Sequence, residues 1–546
     1  MLYEYYKEIL DKYSYNNRPF IDYIIKQLSN NWYNKNLFII EAPTGYGKST
    51  ITATLALKAY KEYSKLIIAF PLRTLLEDQY SKLSKVIGDY RVLGKRYMHE
   101  QDSRYLIKPI TLTTIDTLAL TMFGIAPEDL SNVVKNFNEW TGTIQGSTGH
   151  YLFSWASVAL SDIILDEVHL LSDSTKSLSF LLALIEHVII NDQKIVLMSA
   201  TIPNALKNNL DNALNRYSKR VLWLRFNECI DNDFIDNRKK KSYEVIVKEL
   251  GNNKLNVIKS WIDAGVKTGK KKVLVIFNTI NDAIELYEDL KKGYENCLLL
   301  HSRFSDKDRE YKNELLQKVK HNDNYIIIST QVVEAGVDIS SDLFISELAP
   351  ANSLIQRFGR FLRYDEHEGL SYVWYEPFQD NRYKVYDLEL CKRTLEYIKN
   401  NCINMHIPID NGYEKLLNHV YYEDDFNINK NRVDEMLLIF TNFGNISTAV
   451  KLFYESEGSL VKEGYMIPIT ISKDEQSIIP ISYSLFKTLI KDDKVINIVK
   501  QDRIVDIDSE KIKSMNEIQL LSCIMKNNIR AFLVDAHYDN DKGLMI

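Results

Sequence analysis

Cysteine is scarce. The chain has five in 546 residues, none of them in a Cys-x-x-Cys pair, which excludes a disulfide framework and a zinc ribbon and points to a reducing cytoplasm. No apolar run is long enough to span a membrane: Phe180–Ile190 is interrupted by Glu186 and His187 and reads as a buried helix. The first residues, Met1-Leu2-Tyr3-Glu4-Tyr5-Tyr6, carry neither the basic nor the apolar region of a signal peptide. Repeats and low-complexity segments are lacking too. A large charge of one sign is also missing. The net charge of −5 rules out a wholly basic nucleic-acid coat, while a local basic groove stays open. What remains is an ordinary soluble composition, 45% hydrophobic and 26% charged, long enough for about two to four domains with large cores.

Up to about Asn34 the pattern is helical. Leu2, Tyr6, Ile9, Leu10 and Tyr13 fall at helical spacing, and Arg18-Pro19 opens a second helix. Short apolar runs then alternate with helical stretches: Leu37 to Glu41, Leu66 to Phe70, Ile163 to Leu165 and Ile195 to Met198. A second series follows: Val273 to Phe277, Leu298 to His301, Ile326 to Ser329 and Leu343 to Ser346. Strands alternating with helices predict α/β domains with parallel sheets covered on both faces. The polar stretch Asn227 to Lys241, ending Arg238-Lys239-Lys240-Lys241, reads as the linker. From about Asp380 the alternation blurs.

The chemistry concentrates at strand ends. Ala42-Pro43-Thr44-Gly45-Tyr46-Gly47-Lys48-Ser49-Thr50 has the form of a phosphate loop, with Ala42 where the first glycine is usual. Gly45 and Gly47 let successive N–H groups face phosphates, Lys48 supplies positive charge and Ser49 a hydroxyl for Mg²⁺. Asp166-Glu167 ends the strand Ile163 to Leu165, so Asp166 completes the metal site and Glu167 orients an attacking water. ATP with Mg²⁺ is the expected ligand pair. Ser199-Ala200-Thr201 follows the next strand and is expected to couple the nucleotide site to domain movement. Late in the second series, Gln356-Arg357-Phe358-Gly359-Arg360-Phe361-Leu362-Arg363 places Arg360 and Arg363 three apart, on one side of an expected helix, with Gly359 permitting close backbone approach. Such arginines suit the charge of a phosphoryl-transfer transition state, giving a bipartite site completed by the second domain.

The order of these motifs resembles the superfamily 2 helicases, specifically the CRISPR-associated interference helicases. The resemblance adds Phe70-Pro71-Leu72-Arg73, Thr114-Ile115-Asp116, Phe277-Asn278-Thr279, Leu300-His301-Ser302-Arg303-Phe304 and Thr330-Gln331 through Gly336-Val337-Asp338, and covers roughly residues 35–375. It implies two tandem RecA-like domains and a C-terminal accessory domain. The expected division is N-terminal helices 1–34, first RecA-like domain 35–226, linker 227–255, second RecA-like domain 256–380 and accessory region 381–546. It implies that Pro71, Arg73, Thr114, Asn278, His301, Arg303 and Thr330 hold a single-strand backbone, where contacts independent of sequence suit a motor. Thr44 and Thr50 belong with the nucleotide loop, Gly336 and Asp338 with the ribose, and Gln356 with the γ-phosphate. The bland alternatives are that Asn278 caps a turn and His301 is a satisfied histidine at a strand end.

Two departures bear on function. The resembling family commonly carries Arg-Pro-x-Gln before the phosphate loop, its glutamine reading adenine; here Arg18-Pro19-Phe20 is followed by Ile21, so adenine selectivity is expected only if Gln27 substitutes. No His-Asp dipeptide occurs among the ten histidines, so the fused metal nuclease of many such helicases is expected on a separate chain. The leading expectation is an ATP-driven single-strand DNA translocase in the cytoplasm, working with that nuclease and an RNA-guided surveillance complex. A general DExH-type RNA or DNA-repair helicase is the alternative, and a nucleotide-dependent clamp a third.

Overall fold

The computed structural model describes residues 1–97, 100–138, 141, 143–144, 151–172, 174–319, 324–378, 385–409, 412–441, 446–456, 459–461, 466–472, 477–500, 503–506 and 508–546. The described chain forms two units. The first comprises Met1–Phe226, Glu423–Thr470 and Pro480–Asp535, the second Asn227–Tyr422, Ile471–Ile479 and Ala536–Ile546.

In the first unit, runs such as Leu-Phe-Ile-Ile and Leu-Ile-Ile-Ala-Phe have no polar face to turn toward water, and they fold as interior strands of a seven-stranded sheet. Across that sheet the strands run Leu93–Arg96, Ile110–Thr114, Leu66–Phe70, Asp162–Leu165, Ile195–Ser199, Leu37–Glu41 and Val221–Arg225, every pair parallel. The chain enters at Leu37–Glu41 and steps over two strand positions to Leu66–Phe70. The adjacent strand Ile195–Ser199 connects the opposite way, to Val221–Arg225, and that divergence is a topological switch, where parallel sheets open a crevice at their strand exits. Glu41, Phe70, Leu165 and Ser199 all end on that edge. The helices Leu2–Tyr13 and Pro19–Asn31 precede the sheet. Thr175–Ile190, the apolar run with Glu186 and His187, is a buried helix.

The second unit has a six-stranded sheet, also wholly parallel, in the order Val245–Glu249, Leu370–Tyr375, Leu343–Glu347, Lys272–Ile276, Tyr325–Ser329 and Cys297–Leu300. Two features correct the sequence reading. Residues 227–255 are not a plain linker: they hold the helix Asn232–Lys239 and the edge strand Val245–Glu249. The lysine run misled because Lys241 is buried, its Nζ donating to the carbonyls of Tyr364 at 2.9 Å and Glu366 at 3.0 Å. Residues 381–546 are not one accessory body either. Leu388–Asn400 and Tyr413–Val420 belong to the second unit, whereas Lys430–Thr441 packs on Thr175–Ile190 in the first, Trp155 donating its indole N–H to Phe440 O at 2.7 Å. The boundary expected at 380/381 lies outside the described residues. A mixed five-stranded sheet completes the first unit's C-terminal part, with Val495–Lys500 antiparallel to both Arg503–Asp506 and Ala531–Val534. Among the described residues no helix is long and apolar enough to cross a membrane.

Candidate nucleotide site and nucleic-acid interface

The loop after Leu37–Glu41 turns on two glycines. Gly45 and Gly47 have φ of 73° and 99°, and Gly47 caps the helix Lys48–Lys61. A Cβ at Gly47 would meet nothing closer than 3.7 Å, so the requirement there is conformational rather than spatial. The loop is buttressed from the N-terminal helices. Arg18 donates to Gly45 O at 2.5 Å and lies over the Tyr46 ring, while Phe20 N donates to Tyr46 Oη at 3.1 Å. Phe20 and Phe226 pack edge-on against that ring. Ile21 is buried beside them, and Gln27 Oε1 accepts from Asn31 Nδ2.

Lys48, 8% exposed, reaches back across the loop to Ala42 O at 3.4 Å and stands 3.5 Å from Glu167 Oε1. Thr44 and Ser49 are half-buried and Thr50 is buried. Two strands away, Asp166 is held by its own N–H on Ala69 O and accepts from Glu167 N at 2.9 Å. Burial, and after it the charge of Glu167, pushes the Asp166 carboxyl up, against the pull of Lys48. Glu167 sits at φ 52°, in the left-handed region, a strained setting for a side chain with a Cβ. His169 Nδ1 lies 3.2 Å from Ser199 Oγ and 3.4 Å from Glu167 Oε2. Ser199 directs its hydroxyl to Thr201 O, so toward the ring its oxygen accepts and Nδ1 carries the ring proton. Burial drives the His169 pKa down. The ring is neutral, and it ties the acidic strand end to Ser199-Ala200-Thr201.

Pro71, Arg73 and Thr114 lie on the same strand-exit edge, after the paired strands Leu66–Phe70 and Ile110–Thr114. Arg73 opens the helix Arg73–Ile87 with its guanidinium 4.7 Å from the Tyr97 ring centre. Thr114 caps Ile115–Met122, accepting from Thr117 N.

In the second unit several of the expected contact residues are held inside. Asn278 is buried, its Nδ2 donating to Leu348 O at 2.8 Å and its Oδ1 accepting from Arg357. His301 has both ring nitrogens engaged, with Lys542 O at 2.9 Å and Arg303 N at 3.1 Å. His301 is thus a satisfied histidine at a strand end, whereas the Asn278 side chain, among the described residues, caps no turn but is tied to partners distant in sequence. Thr330 is buried and donates its N–H to Leu300 O; Arg303 remains half-buried, with Nη1 3.5 Å from Asn281 Oδ1.

Arg360 and Arg363 do not share a helix face. The helix Ala351–Phe358 stops at Gly359, Phe361 bridges to Ser341, and Leu362 turns to φ 45°. Gly359 itself is in an ordinary right-handed helical conformation, so no special backbone freedom is used there. Arg360 donates to the carbonyls of Val333 and Glu334 at 3.1 and 3.0 Å. Arg363 pairs with Asp338 at 3.1 Å, and Tyr364 donates to the same Asp338 oxygen. Gly336, φ 79°, turns the chain toward that aspartate. Gln356 is buried, and its Nε2 has no hydrogen-bond partner among the described residues.

The residue the sequence did not single out is Arg357. It is 0% exposed and binds Glu334, Ser346 Oγ, Glu347 O, Asn278 Oδ1 and Tyr386 Oη. Its only signal was membership in an arginine run that was read for catalysis.

Two family models match in the order in which these motifs run. Residues 23–208 match the DEAD/DEAH box helicase family, and residues 269–366 match the C-terminal part of CRISPR-associated nuclease/helicase Cas3. Together the two matches support a CRISPR-associated DExH-type helicase.

Its relatives include a putative CRISPR-associated nuclease/helicase Cas3 of Methanocaldococcus jannaschii, 28% identical over 76% of this chain and 57% of that protein. A CRISPR-associated helicase Cas3 of Thermoproteus tenax is 26% identical over 66% of this chain and 59% of its own length. The chain thus spans under two thirds of each. A crystal structure of T. fusca Cas3 with ADP shares the fold at a TM-score of 0.65 and 16% identity, covering 98% of this chain and 71% of that one. For a Cas3-like helicase a divalent cation beside the nucleotide is implied, and the donor set fits. Ser49 and Asp166 offer oxygen only, the preference of a hard cation, and Asp166 is buried with its carboxyl pushed up by that burial and by the charge of Glu167, a cost that a cation offsets.

Proposed function

We propose that this chain is an ATP-driven single-strand DNA translocase that unwinds target DNA in CRISPR interference and passes single strand to a separate nuclease. The observation that carries the reading is the shared strand-exit edge of the first sheet. Lys48, Asp166 and Glu167 converge there, with Pro71, Arg73 and Thr114 on neighbouring strands. Nucleotide chemistry and backbone grip are then carried by one rigid scaffold.

In this reading the amides of Thr44 to Thr50 and Lys48 hold the phosphates, and Ser49 and Asp166 hold Mg²⁺. Bound Mg²⁺ supplies positive charge to the phosphate oxygens. Glu167 orients the water whose oxygen bonds to the γ-phosphorus as the bond to the β-phosphate oxygen breaks. Gln356, Arg360 and Arg363 add donors and charge in the transition state, and Gly336 and Asp338 serve the ribose. The unpartnered Gln356 Nε2 supports its part, since a buried donor is costly unless something binds it. Arg73, Arg303, Pro71, Thr114 and Thr330 serve the single strand, with Asn278 and His301 shaping the turns beside it. The protein works in the cytoplasm beside an RNA-guided surveillance complex, whose guide pairing leaves a displaced single strand as substrate.

The test is strand displacement from an end-labelled duplex with a single-stranded tail, with Mg²⁺ or Mn²⁺. ATP-dependent displacement lost in Lys48→Ala, with every labelled strand still full length, is expected. Metal-dependent cleavage that disappears on mutating this chain's own His or Asp residues contradicts the separate nuclease; displacement of RNA duplexes alone favours the general RNA helicase.

A further inference from the structure

The turn from His301 to Ser305 is built from outside. The short antiparallel hairpin His537–Asp539 and Gly543–Met545 belongs to the same unit, more than two hundred positions along the chain. Alternate residues of the turn are fastened to it. His301 Nε2 faces Lys542 O at 2.9 Å, so Nε2 carries the proton and Nδ1 is free to accept from Arg303 N at 3.1 Å. The Arg303 carbonyl in turn accepts from Leu544 N at 2.9 Å. Ser305 N donates to Tyr538 Oη at 2.9 Å. Both backbone polar groups of Arg303 are therefore committed, one through the histidine and one through the hairpin. Only its side chain is left to act.

The approach tolerates no side chain at Gly543. Its φ is +75°, and a Cβ there would lie 2.7 Å from both Arg303 O and His301 Cε1. Both neighbours are fixed, one a backbone atom and one a buried, doubly bonded ring that stacks on Phe304. Lys312 clamps the hairpin from the other side. It is 2% exposed, donates to Asp541 O at 2.8 Å and stands over the Phe304 ring.

We propose that this hairpin is a positioning element for nucleic-acid binding, and that Gly543 is the residue through which it sets the Arg303 backbone. The proposal rests on the reading of Arg303 as a single-strand contact. A guanidinium on a turn held at three successive alternate residues meets a phosphate with little ordering left to do, whereas the same arginine on a loose turn loses that advantage.

The experiment uses the full chain and measures ATP hydrolysis against the concentration of single-stranded DNA. Gly543→Ala is expected to raise the DNA concentration for half-maximal stimulation about ten-fold, a coupling typical of residues in contact, with hydrolysis in the absence of DNA unchanged. Tyr538→Phe, which keeps the ring and removes the hydroxyl that accepts from Ser305 N and donates to Asp308, is expected to shift the same midpoint in the same direction by less. Gly543→Ala combined with Arg303→Ala is expected to be no worse than Arg303→Ala alone. A midpoint that does not move in Gly543→Ala, or effects that multiply in the double variant, overturns the proposal. So does a fall in DNA-independent hydrolysis matching the loss of stimulation, which marks a merely structural role. A wild-type chain that single-stranded DNA neither binds nor stimulates overturns this proposal together with the reading of Arg303.

Discussion

Lys48 Nζ and Glu167 Oε1 stand 3.5 Å apart, both largely buried. Each is meant for a different partner: a lysine at a phosphate loop serves phosphates, and an acid at this strand end serves water. Their mutual proximity means that the loop cation and the water-orienting acid are kept within reach of one small volume. The left-handed backbone at Glu167 is the local cost of aiming the carboxylate there.

Separating the two roles is therefore the first expectation. Lys48→Ala loses tight ATP binding. Glu167→Gln keeps binding and loses turnover by two or more orders of magnitude, about the scale of a general-base contribution. Equilibrium ATP binding alongside steady-state hydrolysis separates them, and equal hydrolysis by wild type and Glu167→Gln refutes the assignment.

Arg360→Ala is expected to leave ATP affinity largely intact while slowing hydrolysis by about three orders of magnitude or more, the scale of an arginine finger. Arg363→Ala goes the same way and in addition releases Asp338 from its ion pair. Single-turnover hydrolysis with saturating ATP reads this out. A rate within a factor of a few of wild type for both variants removes the arginines from the chemistry.

Arg357 makes a stability prediction instead. Its pair with Glu334 at 2.8 Å is buried, and removing one partner leaves the other charge uncompensated. Arg357→Met should cost about 3–5 kcal/mol, read from urea unfolding of the full chain. Arg357→Met with Glu334→Gln should recover part of that loss. The exposed pair Lys451–Glu455 supplies the control, with an expected change within about 0.5 kcal/mol on truncating Lys451.

How far these sites were legible depended on how local their signals were. The phosphate loop needs glycines, a lysine and a strand before it, all adjacent in sequence, and Leu37–Glu41 was readable to the residue. Edge strands such as Val245–Glu249 and Val221–Arg225 are only half-buried, so their apolar signal is diluted. Arg357 and Arg360 sit in one motif, yet the first is a network hub and the second hydrogen-bonds to a loop. Residues contributed from 278, 334 and 386 decide that difference, and no local pattern encodes it. His301 shows the same limit, its fate set by a carbonyl at 542.

Acid lability follows from three buried histidines. Burial holds His187 down to about 4 and both His301 and His406 down to about 3. Each is neutral when folded and an ordinary imidazole, near 6.5, when unfolded. The unfolded chain thus binds more protons below about 6.5, and stability falls as pH drops from there toward 4 and then 3, by about 1.4 kcal/mol per pH unit for each fully engaged histidine. Urea midpoints between pH 7.5 and 4.5 check this. A flat profile would sink it, and replacing His406 should reduce the slope.

The central claim is tested most directly by the ATP turnover of the purified full chain with equal nucleotide concentrations of single-stranded DNA, duplex DNA and single-stranded RNA, with Glu167→Gln as the background. The account predicts strong stimulation by single-stranded DNA, markedly less by RNA or duplex, and none in Glu167→Gln. Turnover that is indifferent to single-stranded DNA, or that responds to RNA above DNA, contradicts it.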